Sequence, residues 1–250
     1  MLLQIVCDKY GVRMDIAMHM SDGIVDAPTS IGYGVIAAVG LALAAAGARR
    51  DLDERTAPMA GLVAAFVFAT QMINFPVLPG VSGHLLGGAL AAILVGPWAG
   101  ALCVAIVLVV QALLFADGGL SALGTNITNM ALVGTAAGFL VALALRRYAL
   151  RGRGWLFAVA FTSALVNTVV AAASFVLQYW MGGSTGIGLG TVAVALLGVH
   201  TLIGVGEGLI TALTVGAVAQ VRPDLVYLLR TAPRRGAVAA RPARPAEVAA

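Results

Sequence analysis

The chain has 250 residues, of which 60% are hydrophobic and only 10% charged, and its mean hydropathy is +0.98. A soluble domain carries about 25% charged residues, so a soluble enzyme or carrier is excluded and an integral membrane protein is indicated. The net charge of +4 forms no nucleic-acid patch, and the two cysteines, Cys7 and Cys103, share no disulfide or zinc motif.

Residues 1–17 are of mixed polarity and lack the basic start and unbroken apolar stretch of a signal peptide. They are read as an N-terminal extension that the mature protein need not contain, since Met14 and Met18 follow closely. Seven apolar segments come next, at about 31–48, 59–75, 85–98, 99–116, 127–145, 155–180 and 188–220. Each is a candidate membrane helix, although the third is short, ends near Pro97, and could instead be re-entrant. The predicted fold class is an all-α bundle of about seven transmembrane helices over residues 18–231. A tail over 232–250, rich in Ala, Pro and Arg, is read as disordered and cytoplasmic.

Charge placement orients the bundle. Arg49, Arg50 and Arg55 follow the first segment, Arg146, Arg147, Arg151 and Arg153 the fifth, and Arg222, Arg230, Arg234, Arg235, Arg241 and Arg244 the seventh. If all seven segments cross, these clusters share one side, which the positive-inside rule makes cytoplasmic. The N-terminus is then outside, and the outer face carries residues 18–30 and the loops 74–84, 116–126 and 181–187. Trp98, Trp155 and Trp180 end or flank segments, as interfacial aromatics do. The first segment also carries a stripe of small residues, Gly34, Ala38, Ala42 and Ala46, suited to close packing within the bundle or against another subunit.

Candidate chemistry rests on three histidines. His19 and His84 both fall on the outer face, and imidazole suits nickel, cobalt, copper and zinc. The alternative is a pair of interfacial loop histidines bonded to backbone. If the chain starts at Met18, its amine, the His19 amide and imidazole, and His84 could together enclose an ion in a plane of four nitrogens, a geometry favoured by Ni(II) or Cu(II). Asp22, Asn74, Ser82, Asp117 and Asn126 are candidates to surround such a site and orient its ligands. His200 and Glu207 lie seven positions apart on one face of the last segment and are read as an intramembrane polar pair. Their role is either packing, with Asn167 as a candidate partner, or a proton or ion relay in a proton-coupled carrier or membrane enzyme. No phosphate-binding glycine loop or nucleophilic triad is present, so the chain is read as a non-enzyme whose energy would come from elsewhere.

Four stretches, in order, carry a resemblance. They are Met18-His19-Met20-Ser21-Asp22-Gly23 with Pro28-Thr29-Ser30, Ser82 to Gly88, Ala116 to Asn126, and His200 to Glu207. Together they resemble the CbiM/NikM family, the substrate-binding membrane subunits of energy-coupling factor importers for cobalt and nickel. The resemblance covers about residues 18–220. It implies a metal site at Met18, His19 and His84, Co2+ or Ni2+ as the transported ligand, and no permanent cofactor. It also implies a membrane scaffold subunit, cytoplasmic ATPase subunits and a small accessory membrane subunit as partners, in the plasma membrane. The extension before Met18 departs from the family pattern, because it would remove the free amine.

Overall fold

In a computed structural model, residues 19–51, 56–78 and 81–230 are described. The expectations for residues 1–17, for Met18 and for the 232–250 tail lie outside them, as do the side chains of Asn74 and Ser82.

Helix α1 runs Ala27–Asp51. Its start is set by Asp26, whose carboxylate accepts the Thr29 amide at 2.9 Å, and its last turn carries Arg49 and Arg50, which suit the helix's negative end. Helix α2 spans Thr56–Gln71. A short antiparallel hairpin follows, β1 Asn74–Leu78 and β2 Val81–His84, with Asn74 opposite His84. Then come α3 Gly88–Val95, α4 Pro97–Leu114, α5 Leu123–Ala144, the short α6 Arg146–Ala149, α7 Arg153–Gly182 and α8 Leu189–Val221. Two single 3₁₀ turns, Pro223–Leu225 and Tyr227–Leu229, close the described chain.

Among the described residues, five helices are long and apolar enough to cross a membrane: α1, α4, α5, α7 and α8. The chain is a multi-pass membrane protein built mainly of helices. Its centre is α3, in which every residue is buried, and α4 packs directly against it. The third apolar segment differs from a plain span. Its helix has eight residues, about 12 Å of rise, against a hydrocarbon core of about 30 Å. Gly87 at φ 75° and Gly96 at φ 95° break the helix on either side, so residues 85–87 link β2 to α3 as irregular chain.

The elements meet at two ends. At one end the His19–Asp26 segment joins the turn after α7 and the loop after α4. The Asp26 amide bonds the Gly182 carbonyl at 2.7 Å, Ser184 N bonds Ile24 O at 3.1 Å, and Gly119 N bonds Met20 O at 3.0 Å. At the other end the Arg146 guanidinium donates to the carbonyls of Leu228 and Arg230 at 2.7 and 2.6 Å. Gly96 there lies against Tyr227, and Gly47 against Trp98. All three tryptophans named above are exposed on the surface of the bundle.

The small-residue stripe of α1 divides in two. Gly34 packs inside the bundle, where a methyl on Gly124 of α5 would fall 2.4 Å from the Gly34 Cα, whereas Ala38, Ala42 and Ala46 are exposed. Gly124→Ala should therefore push α1 from α5 and destabilise the fold by about 1–3 kcal/mol. Gly34→Ala, whose own methyl meets open space, should cost less. Thermal unfolding of the two variants in detergent checks the order.

Candidate metal centre

The site begins where the described chain does. His19 and Met20 are buried, 4% and 1% exposed, although they belong to no helix or strand. Their backbone is held much as a strand would be. The Met20 amide donates to Asn126 Oδ1 at 3.1 Å, and Asn126 Nδ2 donates back to the Met20 carbonyl at 3.1 Å. Asn126 stands at the start of a π-helical stretch of α5, Ile127–Gly134. Such stretches widen a helix and recur at functional sites. This one carries Asn129, whose amide is engaged by Gln178 and Ser174 at 2.8 and 2.6 Å.

The loop after α4 forms the other wall. Phe115 N and Asp117 N both bond the Gln111 carbonyl at 3.1 Å. Ala116 takes a left-handed φ of 51°, which turns Asp117 back toward His19. Asp117 Oδ1 lies 3.3 Å from His19 Nδ1. Gly118, at φ 87°, passes so close that a methyl there would sit 2.8 Å from the His19 Cβ. Asp22 ties the two segments together by accepting the Ser121 amide at 2.7 Å and the Ser121 hydroxyl, and this hydrogen bonding holds its carboxyl below the usual carboxylate range.

His84 arrives from the hairpin. Its Nδ1 bonds the Leu85 carbonyl at 2.8 Å. A carbonyl only accepts, so Nδ1 carries the hydrogen and Nε2 presents a lone pair. Burial first, and then the neighbouring His19 ring, lower the His84 pKa well below the usual imidazole range, so the ring is neutral at pH 7. The His19 and His84 ring centroids are 4.5 Å apart with planes tilted by 53°. His19 Nε2 is buried with no hydrogen-bond partner. The rings border a cavity of about 40 Å³ whose lining includes His19, His84, His200, Asn126, Asn129 and Phe175. Such a space admits an ion together with a few waters.

His200 and Glu207 do not form the expected pair. Seven residues along a helix is about 10.5 Å of rise, too far for contact. His200 bonds Leu196 O on its own helix at 2.8 Å and faces the cavity, whereas Glu207 bonds elsewhere. Asn167, the candidate packing partner, donates its Nδ2 to Glu207 Oε1 at 3.1 Å. The three histidines thus border one cavity, which spacing along the chain did not indicate. Among the described residues, no three of His, Cys, Asp or Glu converge tightly enough to hold an ion by themselves. Sequence reasoning also missed Gln71 and Thr168, although a glutamine at the end of an otherwise apolar helix was the available signal.

The family model for CbiM, the cobalt uptake substrate-specific transmembrane region, matches residues 19–225. This chain belongs to that family. The cobalt transport protein CbiM of Sorangium cellulosum is 30% identical to it over 218 residues, covering 85% of this chain and 96% of that one. A fused nickel transport protein NikMN of Rhodobacter capsulatus is 44% identical over 105 residues, 42% of this chain and 28% of that longer one. The crystal structure of a truncated transition metal transporter superposes with a TM-score of 0.72 at 26% identity, covering 81% of this chain and 99% of that one. The relatives are named as metal transport proteins, not enzymes.

In this CbiM-family chain, the loop has no slack at Gly118 or Gly119, where a methyl would fall 2.8 Å from His19 Cβ and 2.3 Å from the Asp22 amide nitrogen. Gly118→Ala should cost more than about 1 kcal/mol, because the backbone conformation disfavours any side chain and the methyl meets His19. Hydrogen exchange should show residues 19–24 and 117–122 losing protection together, with the helices unchanged.

Proposed function

We propose that the chain is the substrate-capture membrane subunit of an energy-coupling factor importer. On this reading it takes cobalt or nickel ions at its outer face for uptake driven by partner subunits. The observation that carries the reading is the pair of buried imidazoles, His19 and His84, 4.5 Å apart at a cavity of ion size. Metal–nitrogen bonds are about 2.0–2.1 Å, so two imidazoles bound side by side at a right angle would have centroids roughly 4.5 Å apart. The pair is therefore spaced for one ion before any ion arrives.

Two imidazoles do not complete a coordination shell. The remaining nitrogens are assigned to the Met18 amine and the His19 amide, which chelate only if the mature chain has a free amine at Met18. Fused rings through that amide use His19 Nδ1, the atom now facing Asp117. Capture then includes a half-turn of the ring about its Cβ–Cγ bond, and Asp117 holds the ring ready until it happens. Loops 74–84 and 116–126 close over the ion.

Seven crossings, with His19 outside and the arginine clusters inside, fit the meeting of elements at two opposite ends of the bundle. Asp26, Gly119 and Gly182 gather at the His19 end, and Gly47, Gly96 and Arg146 gather at the other. ATP hydrolysis is assigned to cytoplasmic subunits reached through a membrane scaffold subunit. The exposed Ala38, Ala42 and Ala46 face leaves room for a helix of such a partner.

His84→Ala should abolish stoichiometric binding of Ni2+ and Co2+ by the purified chain, measured by equilibrium dialysis. Undiminished affinity overturns the assignment. N-terminal sequencing of protein purified from membranes should begin at Met18, and acetylating that amine should remove most of the affinity.

A further inference from the structure

Glu207 stands in the interior of α8 at 2% exposure and forms no ion pair among the described residues. Four partners surround its carboxyl group. Leu86 N donates to Oε2 at 2.7 Å, and Gly87 N and Asn167 Nδ2 donate to Oε1 at 2.9 and 3.1 Å. Thr168 Oγ1 lies 2.9 Å from Oε2 and 3.0 Å from the Ala164 carbonyl, and its single hydrogen serves one of the two. Each carboxyl oxygen thus accepts a backbone amide.

The two backbone donors lie two and three residues beyond His84, in chain that belongs to neither helix nor strand. In hydrocarbon such amides must find partners inside the protein. The same peptide is gripped from its other side, where Gln71 Nε2 of α2 donates to the Leu86 carbonyl at 2.8 Å. Nor can the chain shift sideways. A methyl on Gly87 would fall 2.7 Å from Val67, and one on Gly88 would fall 2.5 Å from Thr135 Oγ1. Residues 84–88 therefore have one path through the bundle, anchored by Glu207 on α8, by Asn167 and Thr168 on α7, and by Gln71 on α2.

We propose that Glu207 is a positioning residue for metal capture: its carboxylate fixes the Leu86–Gly87 backbone and thereby aims the His84 imidazole at His19. The role rests on the reading of His84 as a metal ligand. It assigns this buried carboxyl group to holding a loop.

The test compares the purified full chain with Glu207→Gln, Thr168→Val and His84→Ala, titrated with NiCl2. Affinity and the ligand-field spectrum of the nickel-saturated protein are both read. Glu207→Gln turns an amide nitrogen toward a donor and should weaken nickel binding roughly ten- to hundredfold, as loss of an outer partner of a ligand does. Its nickel-saturated spectrum should depart from that of the wild type, reporting a displaced imidazole ligand, a change that lowered stability alone would not produce. Thr168→Val removes one hydroxyl partner of the carboxyl group and should move both readings in the same direction by less, and it carries the test if Glu207→Gln does not fold. Wild-type affinity and spectrum in whichever of the two folds overturns the positioning role, provided His84→Ala loses binding. Full affinity in His84→Ala overturns the metal-site reading itself.

Discussion

The structure depends on keeping non-helical backbone satisfied inside the helix bundle. Helices meet their own amides and carbonyls, so they cross hydrocarbon without help, whereas irregular chain does not. This protein brings two irregular stretches, residues 19–20 and 85–87, into a bundle that otherwise satisfies itself. Each stretch is met by a side chain that takes the place of a neighbouring strand. Asn126 both accepts from and donates to Met20. Glu207 accepts Leu86 and Gly87 while Gln71 donates to the Leu86 carbonyl. These side chains let His19 and His84 enter the bundle from opposite walls and meet at one cavity.

Much of this was legible in the sequence. Long apolar runs between arginine clusters gave the bundle, because a spanning helix leaves little choice of composition. The scarcity of histidine drew attention to His19 and His84. What was hidden was whatever depends on contact across the bundle. His200 and Glu207 share a helix face, and a face is all that periodicity can report. Which element each side chain meets is decided by the packing of α7, α2 and the post-hairpin turn, and that placed the two residues in different environments. The hairpin was hidden for a related reason. Its pairing of Asn74 with His84 is backbone to backbone, and Pro76 within it argues against a strand on sequence grounds.

The third apolar segment illustrates the same limit. Hydropathy marks 85–98 as apolar, and residues 85–96 are indeed buried. The glycines at 87 and 96 convert that stretch into irregular chain, a short helix and a sharp turn. A longer helix would have carried His84 away from His19, because its backbone would rise at 1.5 Å per residue with its amides already engaged. The broken segment leaves those amides free, and a carboxylate on α8 can then locate them. Breaking the helix and burying Glu207 are thus two halves of one arrangement, and neither is stable in hydrocarbon without the other.

The same arrangement bears on which ions the proposed site would accept. Magnesium and calcium are bound by oxygen, chiefly carboxylates, carbonyls and water. No Asp or Glu is among the described residues lining the cavity. The carboxylates nearby are engaged with protein, Asp117 with the His19 ring and Glu207 with Leu86, Gly87, Asn167 and Thr168. Asn126 and Asn129 line the space, but their amides are engaged by Met20, Gln178 and Ser174. What the cavity offers is imidazole nitrogen. A hard cation gains no carboxylate oxygen there, whereas a late transition metal exchanges water for nitrogen with a gain. On the proposed reading, discrimination against magnesium therefore comes as much from the hydrogen bonds that occupy the carboxylates as from the histidines themselves.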